Sequence, residues 1–153
     1  MSGSLRIKRQ LETAFRGPAW HGPSLMDNLK GVTAEVASAK RVPGAHSIWE
    51  IVNHLIAWQK MAIATIDGAP YATLKDDADW PPVTSTSDGD WASTVAELQS
   101  SFATLCSKLD VFSDERLKEN IPGADYSWGV LLRGIAEHDL YHAGQIGLLK
   151  RVV

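Results

Sequence analysis

A chain of 153 residues that is 44% hydrophobic and 22% charged can bury one full core and is too apolar to stay disordered. With 15 basic and 18 acidic residues the net charge is -3, and no Lys/Arg face is clustered; this argues against nucleic acid as a partner. No stretch reaches a membrane span, and Met1 to Gly17 lacks the apolar centre of a secretory signal, so the expectation is one cytoplasmic domain over residues 1–153, without a membrane partner.

The first helix is predicted from Ser4 to Arg16, with Leu5, Leu11, Ala14 and Phe15 facing inward and Gly17–Pro18 stopping it. Pro23 and Ser24 open a short helical piece through Leu29. Gly31 ends that piece, and Thr33 caps another turn or two before Val42, Pro43 and Gly44 break the chain.

Ser47 and Glu50 form a capping box, in which each side chain satisfies an amide left free at the start of the second long helix. Ile48, Ile51, Val52, Leu55, Ile56, Ala62, Ile63 and Ile66 make a wide apolar face at about 100° per residue. The wet seam is Asn53, Lys60 and Asp67, and Gly68 stops the helix.

Residues 69–89 contain Pro70, Pro81, Pro82 and a Ser/Thr/Asp/Gly run, which predicts a long irregular crossover that cannot sustain a helix. Asp90 is the expected cap of the third long helix, carried by Val95, Leu98, Phe102, Leu105, Cys106 and Leu109. Within that apolar run the lone Cys106 reads as a core residue and not as a nucleophile. Ser113 caps a short turn, and Ser127 caps a last helix from Trp128 to about Lys150. Four long helical patterns, no alternating strand and one long crossover between the second and third of them define an all-α four-helix bundle.

The last helix carries the chemistry. Leu131, Ile135, Ile146 and Leu149 set its inward face, and His138, His142 and Gln145 fall within it. A buried imidazole without a partner costs about 1–3 kcal/mol, so two on adjacent turns need relief. Positions i and i+4 stack on one face, close enough for both rings to bind one ion. On the second long helix His54 lies at the flank of the apolar face, between Ile51, Trp58 and Met61, and is a third imidazole in a dry setting. Three neutral imidazoles from two helices would leave an ion with open positions, as in catalytic sites. Zinc, nickel, iron and manganese all accept such ligands.

Around these, Asp139 and Glu50 are candidates to accept the second N–H of a ligand imidazole, Glu50 having the capping box as its competing role. Gln145 could meet a water or substrate, or serve as a helix-packing amide. Trp58, one turn after His54, is a candidate contact. His21 and His46 fall in loops, where histidines mostly face solvent or bond locally, yet the Trp20–His21–Gly22 turn could pack over the mouth of the site. The HDLYH segment also reads as a relative of the zincin HExxH, but the shorter carboxylate and the missing downstream ligand count against that. Gly129, Ala136, Ala143 and Gly147 form a small-residue stripe that suits intramolecular packing or a dimer seam equally.

The stretch SIWEIVNHLIAWQ from Ser47 to Gln59, the terminal HDLYHAGQIGLLKR from His138 to Arg151, WHGPS at Trp20 to Ser24, and PGAHSIWE at Pro43 to Glu50 resemble the DinB/YfiT-like family over nearly the whole chain. The resemblance implies up-down-down-up connectivity, frequent homodimers, and a divalent ion, nickel or zinc foremost, on His54, His138 and His142. It also implies small-molecule chemistry of the kind seen in thiol-dependent transferases or isomerases, with a low-molecular-weight thiol as co-substrate. A metal-dependent hydrolase, or a bundle that binds metal without catalysis, are the competing expectations.

Overall fold

The computed structural model describes residues 1–152. Its long helices are α1 (Gly3–Arg16), α4 (Ile48–Ile66), α6 (Asp88–Asp110) and α7 (Trp128–Leu149). Short helices α2 (Leu25–Leu29) and α3 (Ala34–Ser38) fill the first connection, a single turn α5 (Asp76–Asp79) interrupts the crossover, and a 3-10 turn covers Arg116–Lys118. Among the described residues the only β-pairing is two isolated bridges, Ala19 with Gly22 and Asn120 with Ser127. No described helix is long and apolar enough to cross a membrane.

Each long helix packs on two others, α1 on α7, α7 on α4, α4 on α6 and α6 on α1, which closes a four-helix bundle. One contiguous core runs through it, with Leu11, Phe15, Leu55, Leu98, Phe102, Leu105, Leu132 and Ile146 fully buried. Phe15 stacks on Phe102 with centroids 3.8 Å apart, joining α1 to α6. Cys106 belongs to this core, and burial pushes its thiol up to about 11.

Local signals act as their chemistry requires, with four displacements. Ser24 and Ser47 form reciprocal capping boxes with Asp27 and Glu50, and Thr33 caps α3. In α1, Ile7 takes the inward place expected of Leu5, which is 40% exposed; Ile7, Leu11, Ala14 and Phe15 recur at helical spacing, and Leu5 lies off that line. Asp114 holds the start of α1 by accepting the amides of Gly3 and Ser4 at 2.8 and 3.0 Å. Helix α6 is capped by Ser87 and not by Asp90, whose amide donates to the Ser87 hydroxyl at 3.1 Å. Ser127 flanks α7 but its hydroxyl makes no cap bond.

The fourth displacement matters most. The crossover does sustain one helical turn, entered through Asp76 in the left-handed region at φ 51°, a conformation that aspartate tolerates better than most residues. Pro81 then lies over α4, where its carbonyl accepts from Asn53 Nδ2 at 3.2 Å, so the expected wet seam is covered at that point. The small-residue stripe of α7 is packed inside the chain: a Cβ on Gly129 would stand 3.0 Å from the Leu117 main-chain oxygen, and one on Gly147 would stand 2.8 Å from Asn28 Oδ1. Ala136 and Ala143 are buried.

Candidate metal centre

Helix α4 carries His54 and helix α7 carries His138 and His142, and the α4–α7 contact brings the three rings together. His54 and His142 are 5% and 4% exposed, and His138 is half-buried. Nε2 of His138 lies 2.9 Å from Nε2 of His54 and 3.0 Å from Nε2 of His142.

Counting protons shows what this cluster lacks. His54 Nδ1–H donates to the main-chain oxygen of Asp79 at 2.7 Å, and His142 Nδ1–H donates to Gln145 Oε1 at 2.7 Å. Both acceptors hold the proton on Nδ1, so the neutral rings turn bare Nε2 lone pairs toward His138. A proton on His138 Nε2 can satisfy one of them and not both, whereas a cation would satisfy all three nitrogens. Two of the three pairs also fit metrically: ligand nitrogens about 2.1 Å from one ion stand roughly 3.0–3.4 Å apart, near the 2.9 and 3.0 Å that separate His138 Nε2 from the other two, and all three nitrogens lie within 4.8 Å of one another.

Electrostatics keep the rings neutral. His138 is pushed down to about 4, first by burial and then by the neighbouring His142 and His54. His142 is also pushed down to about 4, with burial as the main cause. Burial lowers His54 as well, against a partial offset from Asp79.

The crossover completes the site. Asp79 Oδ1 accepts from Trp58 Nε1 at 2.8 Å and lies 3.1 Å from His54 Nδ1, so one residue positions both an imidazole and an indole. Trp80 is stacked between His54, at 3.9 Å, and His46, at 3.6 Å, with both pairs nearly parallel. Beside the histidines opens a pocket of about 320 Å³ lined by His54, Trp58, Asp79, Tyr126 and His138 with Val130, Leu131, Gly134 and Ile135 of α7.

Several sequence candidates stand elsewhere. Glu50 closes the capping box through Ser47 N at 2.8 Å and pairs with Lys40 at 2.9 Å; neither bond reaches His54. Asp139 is fully buried, but both its oxygens lack a hydrogen-bond partner, so it orients no imidazole, and burial pushes its carboxyl up to about 8. It sits about 100° around α7 from His138, on the side shared with Ala136 and Ala143. Gln145 takes the orienting role, toward His142. His21 is exposed and lines a separate groove between α1 and α7 with Arg6, Arg9 and Arg133, so the Trp20–His21–Gly22 turn does not cover the histidines.

A family model described as the DinB superfamily matches residues 23–146, a span that includes all three histidines and the crossover. The chain belongs to the DinB superfamily. No curated protein and no solved structure gives a significant match. Within this DinB chain, Asp79, Trp80 and Tyr126 are the site residues that the sequence pattern did not disclose. The one available signal was Trp80, a large aromatic inside an otherwise polar, proline-rich connection.

Proposed function

We propose that this DinB protein is a metal-dependent enzyme of small molecules, with thiol transfer as its chemistry and a low-molecular-weight thiol as co-substrate. The observation that carries this reading is the convergence of three neutral imidazoles at the edge of a pocket, with no fourth protein ligand in their cluster among the described residues. A purely structural ion would be closed by four protein ligands and would need no pocket. A divalent ion held there would lower the pKa of a thiol, or of a water, brought to its open side.

The chain's own contribution is positional. Asp79 and Gln145 fix two rings with their lone pairs inward, Trp80 stacks on the face of His54, Trp58 walls the pocket, and Asp79 offers the pocket's one carboxylate as acceptor for the thiol proton. The family's up-down-down-up order belongs to the same reading. Its support is the length of the 67–87 crossover, which suits a return along a parallel neighbour.

Elemental analysis of protein purified without an affinity tag, after supplementation with nickel, zinc and manganese, tests the metal. About one ion per chain is expected, since one three-histidine cluster is present. A ratio near zero defeats the proposal. His142→Ala should lose the ion while its helical circular dichroism persists, because the core carries the fold. A panel of thiols against an electrophilic aryl halide then separates transfer from inertness.

A further inference from the structure

Gly134 stands in the middle of α7, where glycine weakens a helix relative to alanine. Gly129 and Gly147 have a packing reason, since Leu117 and Asn28 cross close above them. Gly134 has none: a Cβ built there meets nothing within 4 Å. What lies above it is the pocket beside the histidines. Gly144 is equally open, but it is exposed and does not line that pocket.

The rest of the lining has one chemical character. Trp58, Tyr126, Val130, Leu131 and Ile135 supply apolar walls, and the nitrogen-bearing rings of His54 and His138 mark one end. The Asp79 carboxylate is the single formal charge, and no lysine or arginine lines the cavity. Arg133, next to Gly134 in sequence, lines the separate groove between α1 and α7.

We propose that this pocket receives the uncharged, apolar body of the substrate, an aromatic ring or a short branched chain, and that Gly134 keeps its depth free. The substrate's ion-seeking atom then turns to His54 and His138, a placement that rests on the metal-enzyme reading above. A body carrying carboxylates would meet Asp79 with no lysine or arginine beside it, and would lose its water against apolar walls.

The test uses the full chain, with and without nickel. In the metal-free protein, benzyl alcohol should shift the amide resonances of residues 130–135, and succinate should not. In the nickel-loaded protein, phenylmethanethiol should bind at least about tenfold tighter than 4-(mercaptomethyl)benzoate, whose carboxylate is too far from its sulfur to chelate the ion, read from the sulfur-to-metal absorption band. Gly134→Leu should weaken phenylmethanethiol by about tenfold or more with ion content unchanged, the scale set by side-chain bulk in an apolar pocket. Gly134→Ala, which the open space and the helix both favour, should act in the same direction by roughly two- to threefold. If no ion is taken up but benzyl alcohol still shifts those amides, the pocket's preference stands and the metal reading falls. 4-(Mercaptomethyl)benzoate binding as tightly as phenylmethanethiol, or a folded Gly134→Leu with undiminished affinity, overturns the inference.

Discussion

Gln145 shows how a single amide governs an imidazole. Its Oε1 keeps the His142 proton on Nδ1, so that Nε2 is free for an ion without a tautomer change. Gln145→Leu removes that acceptor and leaves the ring free to turn. Metal affinity should fall about 10- to 100-fold in competition with a chelating dye, while the stoichiometry at saturation is retained. An unchanged affinity would mean that α7 packing alone sets the ring. Cys106 gives a residue-scale prediction of another kind. Burial pushes its thiol from an ordinary 9.0 up to about 11, so the folded chain holds the thiol proton more tightly than the unfolded one. The associated stability is complete below pH 9 and is lost as pH rises toward 11, up to about 2–3 kcal/mol. Urea midpoints of the native chain should therefore drop more steeply across that window than those of Cys106→Ala, and parallel curves would contradict the burial argument.

Among the elements, α7 separates its glycines by what stands above them. A methyl on Gly129 would press on the main-chain oxygen of Leu117, which cannot swing aside as a side chain can. Gly129→Ala should cost about 1–3 kcal/mol, whereas Gly134→Ala should gain roughly 0.5–1 kcal/mol from helix propensity, both measured by urea unfolding. Equal effects would show that the 3-10 turn at Arg116–Lys118 is not held against α7. The same helix was the most readable part of the sequence, because Leu131, Ile135, Ile146 and Leu149 set a face into which His138 and His142 fell at four-residue spacing. The capping box of Ser47 and Glu50 was readable for a similar reason, being a local exchange between a hydroxyl and a carboxylate three residues apart. The turn α5 was not. It is one turn long, flanked by prolines, and its main service to His54 comes from a carbonyl, which every residue possesses and no residue type advertises. The carboxylates misled in the opposite way: Glu50 was already engaged by Ser47, and Asp139 faces a side of α7 from which no imidazole is reached.

At the scale of the molecule, the three histidines tie α4 to α7 and, through Asp79, to the crossover, while the apolar core continues through all four long helices independently of them. Two consequences follow from that separation. Removing the ion should leave a folded bundle, because the buried leucines, isoleucines and phenylalanines lie in helix contacts that need no metal. Adding it should stabilise that bundle by mass action, since the unfolded chain does not hold the three rings together. At a free concentration of 100 times the dissociation constant the gain is about 2.7 kcal/mol, and for a chain of this size it corresponds to a rise of roughly 5–11 °C in Tm. His142→Ala should show little or no rise under the same conditions, with its metal-free Tm measured in parallel to separate loss of binding from loss of packing. If the native chain melts at the same temperature with saturating nickel, zinc or manganese as with chelator, the rings do not converge on a cation. The donor count at His138 would then need a proton-sharing solution within the protein.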